Sequence, residues 1–249
     1  MYIFSNIAFY TGSMEGVLRR IQTWIRNKQH TYVCVTGVHG VVESVHNNRV
    51  LLAHQKAGLV VPDGMPLVWI GKMSGRPDIE RIYGPDLFLA VCRCAEVKRW
   101  KLFLFGTTPQ TLQRLKVRLH TRFPRLIVAG CFAPPFRPST QQEDADVIQK
   151  INATKAQVVV VGLSTPKQEL WMHRHVEKLY ANVLIGVGAA FDFIAGTKKQ
   201  APPWVQHIGM EWLYRLVNEP RRLGKRYLAN MVQLIGLIIR SLILPKNED

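Results

Sequence analysis

The sequence predicts an α/β protein: a parallel sheet covered by helices on both faces, followed by a basic helical C-terminal appendage. Three observations carry this. Short runs rich in Val, Ile, Leu and Phe alternate with longer segments of helical periodicity. The short runs are continuously apolar, as strands buried on both faces must be. After Gly188 the alternation stops, and the chain reads as helix, basic turn, helix. A boundary near residue 197 therefore divides a core, 1–197, from an appendage, 198–249.

Residues 14–27 place Val17, Leu18, Ile21, Trp24 and Ile25 on one helical face. Thr31 to Thr36 is a strand that breaks at Gly37 and leads into a helix through Val41, Val45 and Leu52. Leu59 to Val61 is the next strand. It ends at Pro62-Asp63-Gly64, where Gly64 frees the backbone to turn into an apolar helix. Helix 85–97 and strand 101–105 follow, and Pro109 suits the first turn of the next helix. Strand 126–130 enters a Pro-rich loop, Ala133 to Pro138, that cannot be regular structure. Helix 141–152, strand 156–161, helix 166–179 and strand 182–187 complete the core.

The chain of 249 residues is long enough for one α/β domain with an appendage. A hydrophobic content of 47% with 20% charged residues excludes a disordered chain. Lys and Arg number 33 against 17 Asp and Glu, giving +16. That bias concerns partners: nucleic acid, an anionic membrane or a phosphorylated substrate. Cys34, Cys92, Cys94 and Cys131 lie in apolar runs without a zinc-type pair of pairs, and read as buried reduced thiols of a cytosolic protein. The N-terminus, MYIFSNIAFYTGSMEG, lacks a basic n-region and a sustained apolar core, so it makes a poor signal peptide. No stretch offers the roughly 20 uninterrupted apolar residues of a spanning helix.

Several constellations could carry chemistry. Ligands of open α/β sheets sit at the carboxyl ends of strands, where Asp63 falls; it is a candidate base or a helix cap. Thr36, at the neighbouring strand end, is a cap or a phosphate donor. Glu80, Arg81, Gly84 and Asp86 form a second polar cluster. Gly162 to Glu169 follows a strand and opens a helix. Its amides, hydroxyls and Lys167 make either a diphosphate site or an ordinary helix start, and the Walker spacing is absent. Gly186-Val187-Gly188-Ala189-Ala190-Phe191-Asp192 has two glycines of a dinucleotide fingerprint and lacks the third; Asp192 could hold a ribose hydroxyl or cap a turn. Asp144-Ala145-Asp146 matches a D-x-D pattern but sits at a helix start, where carboxylates suit the macrodipole. His173 and His175 cannot share a helix face. Neither a metal nor a cofactor is therefore expected.

The appendage crowds Arg215, Arg221, Arg222, Lys225 and Arg226 into one segment. Residues 227–244 then form a helix whose polar residues, Asn230, Gln233, Arg240 and Ser241, make a narrow stripe on a wide apolar surface. Such a helix suits an anionic membrane surface, or else covers a core or an oligomer interface.

In order, these pieces resemble the WecG/TagA/CpsF glycosyltransferases (glycosyltransferase family twenty-six), from about Thr31 to Arg226. The resemblance rests on Asp63-Gly64, Glu80-Arg81-Ile82 with Gly84 and Asp86, and Pro166-Lys167-Gln168-Glu169. It continues through Gly186 to Asp192 with Gly196, Ala201-Pro202, Glu211 to Leu216, and Glu219-Pro220-Arg221-Arg222. It implies a Rossmann-like core and an inverting, metal-independent transfer from a UDP-sugar to a sugar on a polyprenyl diphosphate. Envelope or exopolysaccharide synthesis is the implied setting, with the protein cytoplasmic and peripheral on the inner face of the cell membrane. Asp63 would be the general base, and Thr36 would contact the donor or orient the acceptor. Arg81, Gln168, Asp192, Lys167 and Gly188 would bind the nucleotide sugar, and Arg221, Arg222 and Arg226 the lipid diphosphate.

Two positions depart from the family pattern. Many members have Thr-x-Asn where Thr36-Gly37-Val38 stands, and Arg where Gln200 stands. The first departure leaves the donor sugar open among N-acetylmannosamine, glucose and a uronic acid. The oligomeric state, a homo-oligomer included, is also open. Two other classes compete: a basic nucleic-acid-binding protein, which the charge alone would suggest, and a nucleotide-dependent oxidoreductase. The first would interleave basic and aromatic residues on one face, whereas here the densest basic cluster abuts an apolar helix. The second lacks the third glycine of its fingerprint.

Overall fold

The computed structural model describes residues 1–243. Of the expected helix 227–244, Leu244 lies outside the described residues, as do the side chains of Arg222, Arg226, Arg240 and Ser241. The strands are β1 (Tyr2–Phe4), β2 (Ile7–Phe9), β3 (Thr31–Thr36), β4 (Leu59–Pro62), β5 (Lys101–Gly106), β6 (Ile127–Phe132), β7 (Val158–Gly162) and β8 (Val183–Gly186). They form one sheet in the order β1-β2-β4-β3-β8-β7-β5-β6, in which β1 alone runs antiparallel to its neighbour.

The continuous apolar strands are buried on both faces, as their sequences require. In β7, Val159 and Val161 enter one core and Val158 and Val160 the other. Tyr32 and Cys34 against Val33 and Val35 repeat this division in β3, and Phe103 and Phe105 against Leu102 and Leu104 repeat it in β5. Each such side chain contributes about 1.5–3 kcal/mol on burial, so the central strands anchor the fold.

One face is covered by α2 (Val38–His46), α3 (Asn48–Gln55), α4 (Met65–Met73), α7 (Gln141–Ala153) and α8 (Lys167–His175). The other carries α1 (Met14–Arg26), α5 (Gly84–Lys98), α6 (Pro109–Arg122) and α9 (Ala190–Ala195). Three further helices follow: α10 (Pro203–His207), α11 (Glu211–Asn218) and α12 (Pro220–Ile243). The last of these reaches the first face, where Leu234 is buried in the core and Leu237 and Ile238 pack against it.

The structure differs from the sequence reading at three places. The N-terminal segment is a β-hairpin, β1–β2, whose two-residue turn places Ser5 and Asn6 at φ of 51° and 62°. Tyr2, Phe4, Ile7 and Phe9 are buried, and β2 extends the sheet alongside β4. The single helix expected through Val41 to Leu52 is two, because Asn47 is extended (φ −138°, ψ 102°) and its side chain caps α3 by accepting from the Arg49 amide at 3.0 Å. Finally, the basic segment 221–226, expected as a turn, is the first part of α12. The described members of that helix's polar stripe, Asn230 and Gln233, face the protein. Asn230 is buried, and Gln233 Oε1 lies 2.7 Å from Nε2 of His46 on α2, while Met231, Val232, Ile235 and Ile239 are exposed. Among the described residues no helix is long and apolar enough to cross a membrane.

Candidate active site

The carboxyl ends of β3, β4, β7 and β8 surround a cavity of about 380 Å³, and Glu211, Trp212, Arg215, Tyr227 and Asn230 close it from α11 and α12. β3 and β8 are neighbours in the sheet, but the chain leaves them in different directions: β3 leads by α2 and α3 to β4, and β8 leads to α9. Such a divergence opens a crevice above the strand ends.

Asp63 stands at the end of β4, on the cavity wall. Its own amide donates to the Thr36 carbonyl at 3.0 Å, which ties it to β3. Its Oδ1 accepts from the amide of Gly84, the first residue of α5, at 3.0 Å. The loop between α4 and α5 is drawn back along this strand end by burial of Ile79 and Ile82 and by an Ile82 amide to Pro62 carbonyl bond of 2.9 Å. That return sets Arg81 and Tyr83 beside the aspartate. Arg81 Nε donates to the Asp63 main-chain oxygen at 2.5 Å and Nη2 to Glu211 Oε2 at 2.5 Å, with the guanidinium 4.3 Å from the Tyr83 ring centre. The Tyr83 hydroxyl donates to Glu211 Oε1 at 2.9 Å. Burial pushes the Asp63 carboxyl up to about 6; Arg81 opposes the rise, Glu211 adds to it, and the Gly84 amide and Arg215 oppose it. A carboxyl poised there can hold or release a proton near neutral pH.

The opposite wall comes from the ends of β7 and β8. Gln168 is buried; its Oε1 accepts from the Gly188 amide at 2.9 Å and its Nε2 donates to Glu169 Oε1 at 3.0 Å. Gly188 sits at φ +54°, where glycine avoids strain. Thr165 also donates to Glu169 Oε1, at 3.0 Å, whereas Glu169 Oε2 is buried without a hydrogen-bond partner, and burial pushes this carboxyl up. Asp192 accepts from the Thr107 hydroxyl at 3.2 Å and pairs with Lys198 at 3.4 Å. Arg215 lies 5.7 Å from the Phe193 ring centre, and its buried Nε has no partner. Together with Lys198 it gives the cavity a cationic side.

Asp63, Arg81, Gln168, Gly188 and Asp192 are thus brought to one cavity. Other expected residues are placed elsewhere. Thr36 is 1% exposed and absent from the cavity wall, with its hydroxyl 3.0 Å from His54 Nε2. Lys167 is exposed at the start of α8 and does not line the cavity. Arg221 is exposed on α12, while Arg222 and Arg226 have side chains outside the described residues. Glu211, which the resemblance included in a motif without giving it a role, adds a carboxylate to the cavity wall. Tyr83, His39, Lys198 and Asn230 also reach the wall, and no spacing in the sequence marks them.

The model of the glycosyl transferase WecG/TagA/CpsF family matches residues 1–248. An N-acetylglucosaminyldiphosphoundecaprenol N-acetyl-β-D-mannosaminyltransferase of Bacillus spizizenii is 27% identical over 219 residues, covering 88% of this chain and 83% of that protein. The Staphylococcus aureus protein of the same name is 28% identical over 223 residues, covering 88% and 85%.

Proposed function

The chain belongs to the WecG/TagA/CpsF glycosyltransferase family, and from that premise we propose that it moves a sugar from a UDP-sugar to a polyprenyl-diphosphate-linked saccharide, with inversion and without a metal. The observation that carries the mechanism is Asp63: a carboxyl raised to about 6 on the wall of a cavity that also holds Arg215 and Lys198. Asp63 takes the proton of the acceptor hydroxyl as that oxygen bonds the donor's anomeric carbon. The bond from that carbon to the β-phosphate oxygen breaks, and its electron pair leaves with UDP. Arg215, Lys198 and the amides at Gly162 to Thr165 and at Gly188 stabilise the charge that develops there. Gln168 shapes that wall, and Asp192 faces the nucleotide.

Thr36 acts from beneath, since its carbonyl holds the Asp63 amide. Val38 is on the wall where many members have Asn. The N-acetylmannosamine of the relatives' names is therefore one donor class among three, beside glucose and a uronic acid. Arg221, Arg222 and Arg226 would hold the lipid diphosphate. The exposed Val232, Ile235 and Ile239 of α12 would rest on an anionic surface at the inner face of the cell membrane.

The test is a screen of UDP-sugars against a short-chain polyprenyl-diphosphate sugar, with excess chelator present. Transfer from one donor that survives the chelator and is lost in Asp63→Ala is the expected result. Transfer that needs an added divalent cation overturns the metal-independent mechanism. Wild-type turnover by Asp63→Ala overturns the assignment of the base.

A further inference from the structure

Glu211 is buried at the first turn of α11, where the helix dipole favours a carboxylate. Both of its oxygens are engaged by the loop that flanks Asp63: Oε2 by Arg81 and Oε1 by Tyr83. Arg81 is thereby held through each of its three nitrogens. Its Nη2 goes to Glu211, its Nη1 to the Gln206 carbonyl at 3.4 Å, and its Nε to the Asp63 main-chain oxygen rather than the carboxylate. The Tyr83 ring lies against the guanidinium plane. A guanidinium beside a partly buried carboxylate ordinarily pairs with it in a fork, and the carboxylate then becomes a weak base.

We propose that Glu211 is a positioning residue for the transfer reaction: by binding Nη2 of Arg81 it keeps that guanidinium off the Asp63 carboxylate. The inference rests on reading Asp63 as the base. Asp63 faces Arg81 and Tyr83 from its flanking loop, Glu211 and Arg215 from α11, and the Gly84 amide from α5. Of these, Arg81 and Arg215 favour its ionised form, and Glu211 opposes it. The two members of one ion pair act on Asp63 with opposite sign, as their charges require.

The opposition gives the test. Asp63 is titrated by carbon NMR in the full chain labelled at aspartate, for the wild type, Glu211→Gln and Arg81→Gln. Glu211→Gln should titrate lower than the wild type by about 0.5–1 pH unit, because a negative charge is lost and the released guanidinium turns to the carboxylate. The shift should be smaller when Arg81 is also Gln. Arg81→Gln should titrate higher. An equal shift from Glu211→Gln with and without Arg81 overturns the proposal, and Glu211→Ala takes the place of Glu211→Gln should the latter fail to fold. In the transfer assay the acid limb of Glu211→Gln should move down with the titration, and its plateau kcat should fall about threefold, as a weaker base dictates. An unmoved Asp63 titration, or shifts of the same sign in both variants, overturns the proposal. Opposed shifts in a protein that transfers from no donor would support the placement of Glu211 and sink the transferase reading instead.

Discussion

Asp63→Asn separates the two consequences of burying a carboxyl at the end of β4. Burial holds Asp63 at about 6 instead of 3.8. A base titrating there is about 90% ionised at pH 7 and about 10% at pH 5, so transfer should fall about tenfold between them. At the ordinary value the same interval would change the rate by less than about a tenth. The stability effect has the opposite sense. Because the folded-state value is raised, the stabilising contribution of the protonated carboxyl is complete below 3.8 and lost as pH rises through about 6. The shift of about two units corresponds to about 3 kcal/mol, and the partial exposure of the side chain reduces this to about 1–3 kcal/mol.

Asparagine carries no charge to desolvate, and its carbonyl can still accept from the Gly84 amide. At pH 7 the variant should therefore melt about 2–10 °C above the wild type, with the two curves converging below about pH 4. Its transfer rate should fall by about 10²–10⁴. Thermal melts from pH 3 to 8, paired with transfer rates from pH 4 to 8, measure both. A variant less stable than the wild type at pH 7 would refute the burial argument. An acid limb below pH 5 in the wild type would remove Asp63 as the base.

Two further substitutions probe the sheet and the opposite wall. Gly106 has φ +129°, and a Cβ there would come within 2.6 Å of the Gly162 main chain, so Gly106→Ala must part β5 from β7; a loss of about 3 kcal/mol or more, read by urea unfolding, is expected. Gln168→Ala leaves the Gly188 amide and the Glu169 carboxyl each short of a partner. It should cost about 1–3 kcal/mol in thermal melts and raise the donor KM, whereas an unchanged melt would mean that water replaces the amide.

What the sequence made legible follows from distance along the chain. Strand β3 was read at its observed limits, and β7 and β8 to within two residues, because continuous valine and isoleucine runs admit few other structures. The hairpin β1–β2 was missed: each strand has three residues, and Ser5-Asn6 lacks the glycine that marks such turns. Asn47 was invisible as a break because the apolar spacing continues through it. At the site, Asp63 was legible from its place at a strand end. Arg81 was picked out as a ligand contact, yet its partner lies 130 residues away, at Glu211. Only the return of the chain over the cavity makes them a pair. Thr36 was likewise legible as a strand end and not as a partner of His54, whose approach depends on how α3 packs beneath.

The position of α12 joins the charge of the chain to the chemistry of its cavity. A helix on the surface of a water-soluble domain normally turns its polar side outward. Here Asn230 and Gln233 face inward, toward the cavity and His46, and the outward residues include Val232, Ile235 and Ile239. Leu234, Leu237 and Ile238 secure the inner side, and exposed apolar area is unfavourable by about 25 cal/mol per Å² in water, so the outer face favours a cover other than water. Asn230 helps close the cavity that Asp63 lines, while Arg221 stands exposed at the start of the same helix. An acceptor whose reactive sugar must reach Asp63 while its prenyl chain stays in lipid would require this geometry. The apolar face of the helix would meet the bilayer, its basic start would meet the diphosphate, and its polar face would meet the reacting sugars.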